Sequence, residues 1–359
     1  MFEPLLGSEN PKYQGFLTEP SPTNRCFEGP RTGGCTNNGA KFEPLATSLR
    51  KTRRDSLRLP VEWAQYNQTM KLKWSTTGPD MVVAGNNLDV LSQLPDESFQ
   101  MIYIDPPFNT GKVQKLQSLK TVRSETGSRV GFKGQTYEHV RGHMKSYGDS
   151  FDDYWSFLEP RLEEAWRLLK PTGTLYLHLD YREVHYAKVL LDALFGPECF
   201  LNEIIWAYDY GARAKKKWPT KHDNILVYVK DPENYYFNSE EVDREPYMAP
   251  GLVTPEKAAL GKLPTDVWWH TIVSPTGKEK TGYPTQKPLG ILRRMVAASS
   301  ARGDWVLDFF AGSGTTGAAA RELGRRFLLV DQNPEAIDVI KSRLGSDLIN
   351  NTEFQVLGE

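Results

Sequence analysis

The strongest constraint on the fold is the alternation of strand and helix at the end of the chain. Trp305 to Phe309 reads as a strand, Thr315 to Leu323 as a helix, Phe327 to Asp331 as a strand and Pro334 to Leu344 as a helix. Successive strands separated by helices are set parallel by their crossovers, and such a sheet is covered on both faces. The same texture begins earlier, with the apolar runs Met81-Val-Val-Ala and Gln100-Met-Ile-Tyr-Ile. Asp152 to Leu169 places Trp155, Leu158, Leu162, Ala165, Trp166 and Leu169 at helical spacing before Lys170-Pro-Thr-Gly stops it. A strand from Thr174 to Leu179, a helix from Arg182 to Phe195, strands at Leu201 to Tyr208 and Asn224 to Val229, and a helix from Thr285 to Ser300 complete the pattern. The expected fold class is α/β, with a doubly wound, mainly parallel sheet.

Two segments break the alternation. Residues 1–70, with repeated Pro, Gly, Asn and Thr, predict an extended, partly disordered arm. Residues 231–282, richer in Pro, Glu, Trp and Gly, predict an inserted region that divides 71–230 from 283–359. No apolar run approaches the roughly 20 residues that span a bilayer, so no membrane is expected. Met1-Phe-Glu-Pro lacks the basic and apolar regions of a secretory signal. Cys26, Cys35 and Cys199 cannot pair completely and are too few for a zinc site. A reduced, cytoplasmic chain without metal is the expectation. Lys plus Arg number 44 against 45 for Asp plus Glu, a net charge of −1 that taken alone counts against a nucleic-acid partner.

Val306-Leu-Asp-Phe-Phe-Ala-Gly-Ser-Gly-Thr-Thr-Gly317 is a strand, a glycine turn and a helix start. Such glycines let the backbone approach a nucleotide-like ligand at the carboxyl end of a strand. Asp331, ending the next strand, suits a ribose, so NAD and S-adenosylmethionine both fit to this point. Asp308 separates them, because an acid there attracts the cationic side of S-adenosylmethionine and repels a pyrophosphate. The alternative role for Asp308 is to bond backbone amides of the loop.

Asp105-Pro106-Pro107-Phe108 follows an apolar strand. Two prolines stiffen the backbone and remove two amide donors, leaving acceptors. The Asp105 carboxylate and the Pro106 carbonyl can then hold the hydrogens of one exocyclic amino group, with Phe108 stacked on the base. An aromatic amine is a poor nucleophile. Two acceptors favour a pyramidal nitrogen whose lone pair points at a sulfonium methyl, which makes direct in-line methyl transfer the mechanistic expectation.

With Asp105-Pro-Pro-Phe-Asn-Thr-Gly, Tyr283-Pro-Thr-Gln-Lys-Pro288, Leu307 to Gly317 and Asp331-Gln-Asn-Pro334 in this order, the chain resembles the DNA amino-methyltransferases of the permuted (beta-type) group. The resemblance covers about residues 80 to 345. It implies that Asp308, Phe310, Gly312 and Gly314 hold S-adenosylmethionine, that Asp331 meets its ribose, and that Thr285 and Lys287 approach its amino-acid moiety. Asn86 stands where the family often has Asp near the cofactor adenine. Asp before Pro-Pro is typical of adenine N6 modification and Ser of cytosine N4, so adenine is expected. The implied partners are double-stranded DNA, a second copy of the chain and a cognate restriction endonuclease.

Local charge revises the net figure. Residues 112–150 hold eight basic side chains, among them Lys112, Lys115, Lys120, Arg123, Lys133 and Arg141, against three acidic ones. Placed directly after the catalytic motif and rich in Gly and Ser, the stretch predicts a flexible basic loop that orders on DNA. Lys215, Lys216 and Lys217 predict a second phosphate contact. Residues 231–282, with Trp268, Trp269 and His270, are the candidate target-recognition region, and His178 reads as a structural hydrogen-bonder. The alternatives are a cytosine-N4 methyltransferase, a catalytically silent DNA-binding protein of the same fold, an RNA methyltransferase and an NAD-dependent oxidoreductase.

Overall fold

The computed structural model describes residues 71–108, 112–123, 129–130, 136–149, 154–209, 214–274, 276–344 and 352–356, all within a unit running from Gln68 to Glu359. The expected N-terminal arm, 1–70, lies outside the described residues, as do Cys26, Cys35, Lys133 and Asn109 to Gly111. Among the described residues Cys199 is a buried free thiol.

In chain order the elements are β1 (Asp80–Ala84), α1 (Asn87–Leu91), β2 (Phe99–Ile104), β3 (Lys112–Arg123), β4 (Arg129–Val130), β5 (Thr136–Asp149), α2 (Tyr154–Leu168), β6 (Leu169–Leu179) and α3 (Val184–Phe195). They continue with β7 (Phe200–Ala207), β8 (His222–Val229), α4 (Pro255–Leu260), β9 (Val267–Trp269), α5 (Leu289–Ser299), β10 (Trp305–Asp308), α6 (Thr315–Glu322), β11 (Arg326–Asp331), α7 (Pro334–Leu344) and β12 (Thr352–Val356). One sheet of nine strands has the order β12-β1-β11-β10-β2-β6-β8-β7-β9. It is parallel from β12 through β6, antiparallel where β8 meets β6 and β7, and parallel again between β7 and β9.

The doubly wound character follows from the two-residue period of the strands. Met81, Val83, Ile102, Ile104, Leu307 and Leu328 pack with residues of α1, α2 and α3. Their neighbours Val82, Met101, Tyr103, Val306 and Leu329 turn to the opposite face and pack with α5, α6 and α7. Both faces are buried, which is why these strands read as continuous apolar runs rather than alternating ones.

The connection that leaves β2 returns at β6 on one side, whereas the one that leaves β10 returns through α6 at β11 on the other. Because β2 and β10 are neighbours, their carboxyl ends bound the crevice at which such sheets bind ligands.

Three expectations change. The helix expected from Thr285 starts only at Leu289, with Pro288 extended at its N-cap (φ −64°, ψ 139°). A proline disfavours helical backbone at the residue before it, so Tyr283 to Lys287 stays out of the helix. The expected flexible loop 112–150 contains strand: β3 and β5 pair antiparallel from Lys112↔Asp149 to Arg123↔Tyr137, with β4 on β5. Charge and glycine content describe a surface and do not forbid a local antiparallel ladder, which needs only chain neighbours. The inserted region 231–282 is partly built into the main domain, because β9 adds to β7. Arg294 of α5 pairs there with Asp243 at 2.6 Å and Glu245 at 3.1 Å.

Candidate active site

The crevice is a cavity of about 350 Å³. Asp105, Pro106, Pro107 and Phe108 line it from the end of β2, and Asp308, Phe310 and Gly312 from the end of β10. Thr285, Lys287 and Asp331 complete the expected residues on its wall. Asn86 and Gly314 do not line it. The Asn86 side chain is spent on α1, accepting from Leu88 N–H at 2.9 Å, and it is the buried Asn87 that faces the cavity. Gly314 adopts φ +70° at the start of α6, and a Cβ there would lie 2.8 Å from Ile340 Cγ1, so its task is helix packing. Gly314→Val should therefore strain both backbone and contact and cost about 1–3 kcal/mol. Chemical denaturation against the unchanged chain would measure it.

Two carboxylates hold the glycine turn. Asp308, only 2% exposed, accepts from Phe310 N–H at 3.0 Å and from the Thr316 hydroxyl at 2.6 Å. Burial pushes its carboxyl up to about 7, opposed by these two donors and aided by the charges of Asp105 and Asp331. Asp331 accepts from Gly312 N–H at 2.7 Å and Asn333 N–H at 2.8 Å, and burial raises its carboxyl too. The loop-capping role of Asp308 is thus real, and it coexists with a position on the cavity wall. Each carboxylate oxygen keeps a further lone pair for a ligand.

Across the crevice, Asp105 Oδ2 accepts from the Lys287 ammonium, whose nitrogen lies 5.0 Å from the centre of the Phe108 ring. Behind them runs a buried polar chain. Tyr103 Oη meets His178 Nδ1 at 2.8 Å, His178 Nε2 faces Asp223 at 3.4 Å, and the Tyr208 hydroxyl donates to Asp223 at 3.1 Å. Burial pushes the Tyr103 hydroxyl well above its usual range. Burial also opposes ionisation of Asp223, yet its hydrogen bond to His178 and the charges of His178 and Lys287 hold it below the ordinary carboxylate value. His178 is fully buried and is the structural hydrogen-bonder expected of it.

Sequence reasoning missed Arg161 and Asn87. Arg161 Nε donates to Asn87 Oδ1 at 2.7 Å, Asn87 Nδ2 donates to the Phe309 carbonyl at 3.0 Å, and the guanidinium lies 3.9 Å from the Phe157 ring centre. Burial lowers the Arg161 guanidinium to about 10. A signal existed: Arg161 lies on the same helical face as Leu158, Leu162 and Ala165, where a charge needs a partner.

Of the expected DNA contacts, Lys112, Lys115, Lys120 and Arg123 fall on β3 and Arg141 on β5. Lys215, Lys216 and Lys217 are exposed in the connection from β7 to β8, at the same end of the sheet as Asp105. Trp218 beside them is 93% exposed. Trp268 is buried at the sheet edge, its ring 4.9 Å from the Arg294 guanidinium, while its neighbour Trp269 is exposed.

An acid-anchored glycine turn and an Asp-Pro-Pro-Phe corner on adjacent parallel strands define a methyltransferase-type α/β domain. The signature of the N6/N4 DNA methylase family matches residues 99–342, and the chain belongs to that family. It is 30% identical over 266 residues to the type II methyltransferase M.HpaI of Haemophilus parainfluenzae, covering 74% of each chain. It is also 30% identical over 271 residues to the DNA adenine methyltransferase YhdJ of Escherichia coli (strain K12), covering 73% of this chain and 82% of that one. The solved structure of the cytosine-N4-specific PvuII DNA methyltransferase shares the fold, with a TM-score of 0.51 at 14% identity over 78% of this chain and 98% of that chain.

Proposed function

We propose that this methylase, of the permuted (beta-type) group, transfers a methyl group from S-adenosylmethionine to the N6 amino group of an adenine flipped out of double-stranded DNA. The observation that carries the reading is that Asp105-Pro-Pro-Phe and the acidic glycine turn, at the ends of the paired strands β2 and β10, line one cavity. The cavity suits such a cofactor. A Cβ at Gly312 would approach the Tyr283 ring to 3.2 Å, so the bare glycine keeps the wall open. Asp308 and Asp331 offer the acceptors that a cationic amino group and a ribose require. Bound there, S-adenosylmethionine supplies a methyl group on a positively charged sulfur, which keeps both electrons of the broken bond while the amine loses one proton.

The chain's own contribution is to present the amine. Asp105 and the Pro106 carbonyl accept its two hydrogens and leave the nitrogen lone pair directed into the crevice, while Phe108 offers a ring to the flipped base. Asp at this position and the likeness to the adenine methyltransferase YhdJ support adenine over cytosine. The exposed Lys215, Lys216, Lys217 and Trp218, together with the basic ladder of β3 and β5, fit contact with the DNA backbone. Nucleosides from DNA incubated with the protein and the cofactor should contain N6-methyladenine by mass analysis. N4-methylcytosine in its absence would overturn the assignment of base.

A further inference from the structure

Lys287 was expected to approach the cofactor's amino-acid moiety, yet its ammonium donates to Asp105 Oδ2 at the end of β2. The lysine side chain is 10% exposed and the carboxylate side chain 14%. A buried ammonium of this kind needs an anion, and Asp105 is the one it meets. The other oxygen, Asp105 Oδ1, is buried and has no hydrogen-bond partner among the described residues. Unaided, a carboxylate turns broadly about its last torsion. Here it is held from one side. Lys287 is itself well anchored, because the Thr315 hydroxyl donates to its carbonyl at 3.1 Å and Pro288 restricts its backbone.

We propose that Lys287 is a positioning residue for methyl transfer, gripping Asp105 through Oδ2 so that Oδ1 is the acceptor presented to the target amino group. The inference rests on the reading of Asp105 as that acceptor. It divides the carboxylate's labour: one oxygen is fixed by the protein and the other is kept for the substrate. The cation also sits over the Phe108 ring, so one side chain steadies both groups that handle the base.

The test uses Lys287→Met, which keeps length and removes charge, and Lys287→Arg, which keeps charge. Single-turnover methylation at saturating cofactor and DNA is read beside cofactor affinity from calorimetry. Loosening the carboxylate should lower the single-turnover rate of Lys287→Met by about 30- to 100-fold. Cofactor affinity should stay within about threefold, and Lys287→Arg should recover at least about fivefold of the lost rate. If Lys287→Met instead weakens the cofactor tenfold or more and leaves the saturated rate near that of the unchanged chain, Lys287 serves the cofactor alone and the proposal falls. It falls equally if the arginine variant is no faster than the methionine one. Asp105→Ala is the control for the underlying reading: activity surviving in that variant would remove Asp105 as acceptor, whatever Lys287 does.

Discussion

Asp105→Ala should abolish methyl transfer, by about a thousandfold or more, while S-adenosylmethionine binds within a few-fold of its original affinity. The asymmetry follows from the two walls of the crevice. Asp105 stands at the end of β2, where the proposed mechanism presents the amine, whereas the glycine turn and its two carboxylates stand at β10 and β11. Truncation also strands the Lys287 ammonium in a buried place, and leaving one partner of a buried pair alone costs about 3–5 kcal/mol. Asp105→Asn softens that loss, because its amide oxygen can still accept from the ammonium. It keeps the shape, removes the charge and places an amide where two acceptors stood. It should remain folded and be nearly as inactive. A rate within tenfold of the original in the folded asparagine variant would contradict the role given to the carboxylate.

Asp308→Asn should weaken cofactor binding by about 30-fold to a thousandfold, the range for removing one charge from a buried ion pair. The variant can keep the loop, because an asparagine oxygen still accepts from Phe310 N–H and its amide can meet the Thr316 hydroxyl. The effect should depend on pH. Burial holds the Asp308 carboxyl near 7 instead of 3.8, so below that point it is protonated and offers no charge to a cation. Affinity should therefore rise as pH increases from 6 and flatten above about 7, and binding near pH 6 should release protons, measurable by calorimetry in buffers of different ionisation enthalpy. Stability of the free protein carries the opposite sign. The native state holds the proton more tightly than the unfolded chain, so the contribution is full below about 4 and lost as pH rises through about 7. In Asp308→Asn the part of both dependences centred near 7 should vanish. A cofactor affinity that is flat with pH in the unchanged chain would count against ionised Asp308 as the cation's partner.

What the sequence made legible was local. The glycine turn, the Asp-Pro-Pro-Phe corner and the apolar strands beneath them each lie within about a dozen residues, and each carries its physical reason in its own composition. The fold class was readable for the same cause, since strand and helix alternate along the chain. Contacts between distant residues left little trace. Lys287 and Asp105 are 182 positions apart, and nothing around either names the other. Arg161 and Asn87, 74 apart, gave half a signal in a charge on an apolar helical face. The resemblance put Asn86 near the cofactor, and spacing alone could not tell that of two adjacent amides Asn86 caps a helix and Asn87 faces the cavity. The β3–β5 ladder was missed because its segment is dense in charge and glycine and carries no sustained apolar period to mark a strand.

The strand order also has a consequence for how the protein is made. β1 and β2 are early in the chain, yet they share no ladder: β11 and β10 stand between them. A polypeptide growing from its amino terminus thus produces β1 apart from the block β2-β6-β8-β7-β9, with a gap two strands wide that β10 and β11 fill later. Until it arrives, β1 lacks β11 and β2 presents an open apolar edge on its β10 side. The pieces that close the gap are those that carry Asp308, the glycine turn and Asp331. Closing that gap and completing the cofactor wall are therefore a single event, and a nascent chain cannot hold its methyl donor before the two parts of the sheet are joined.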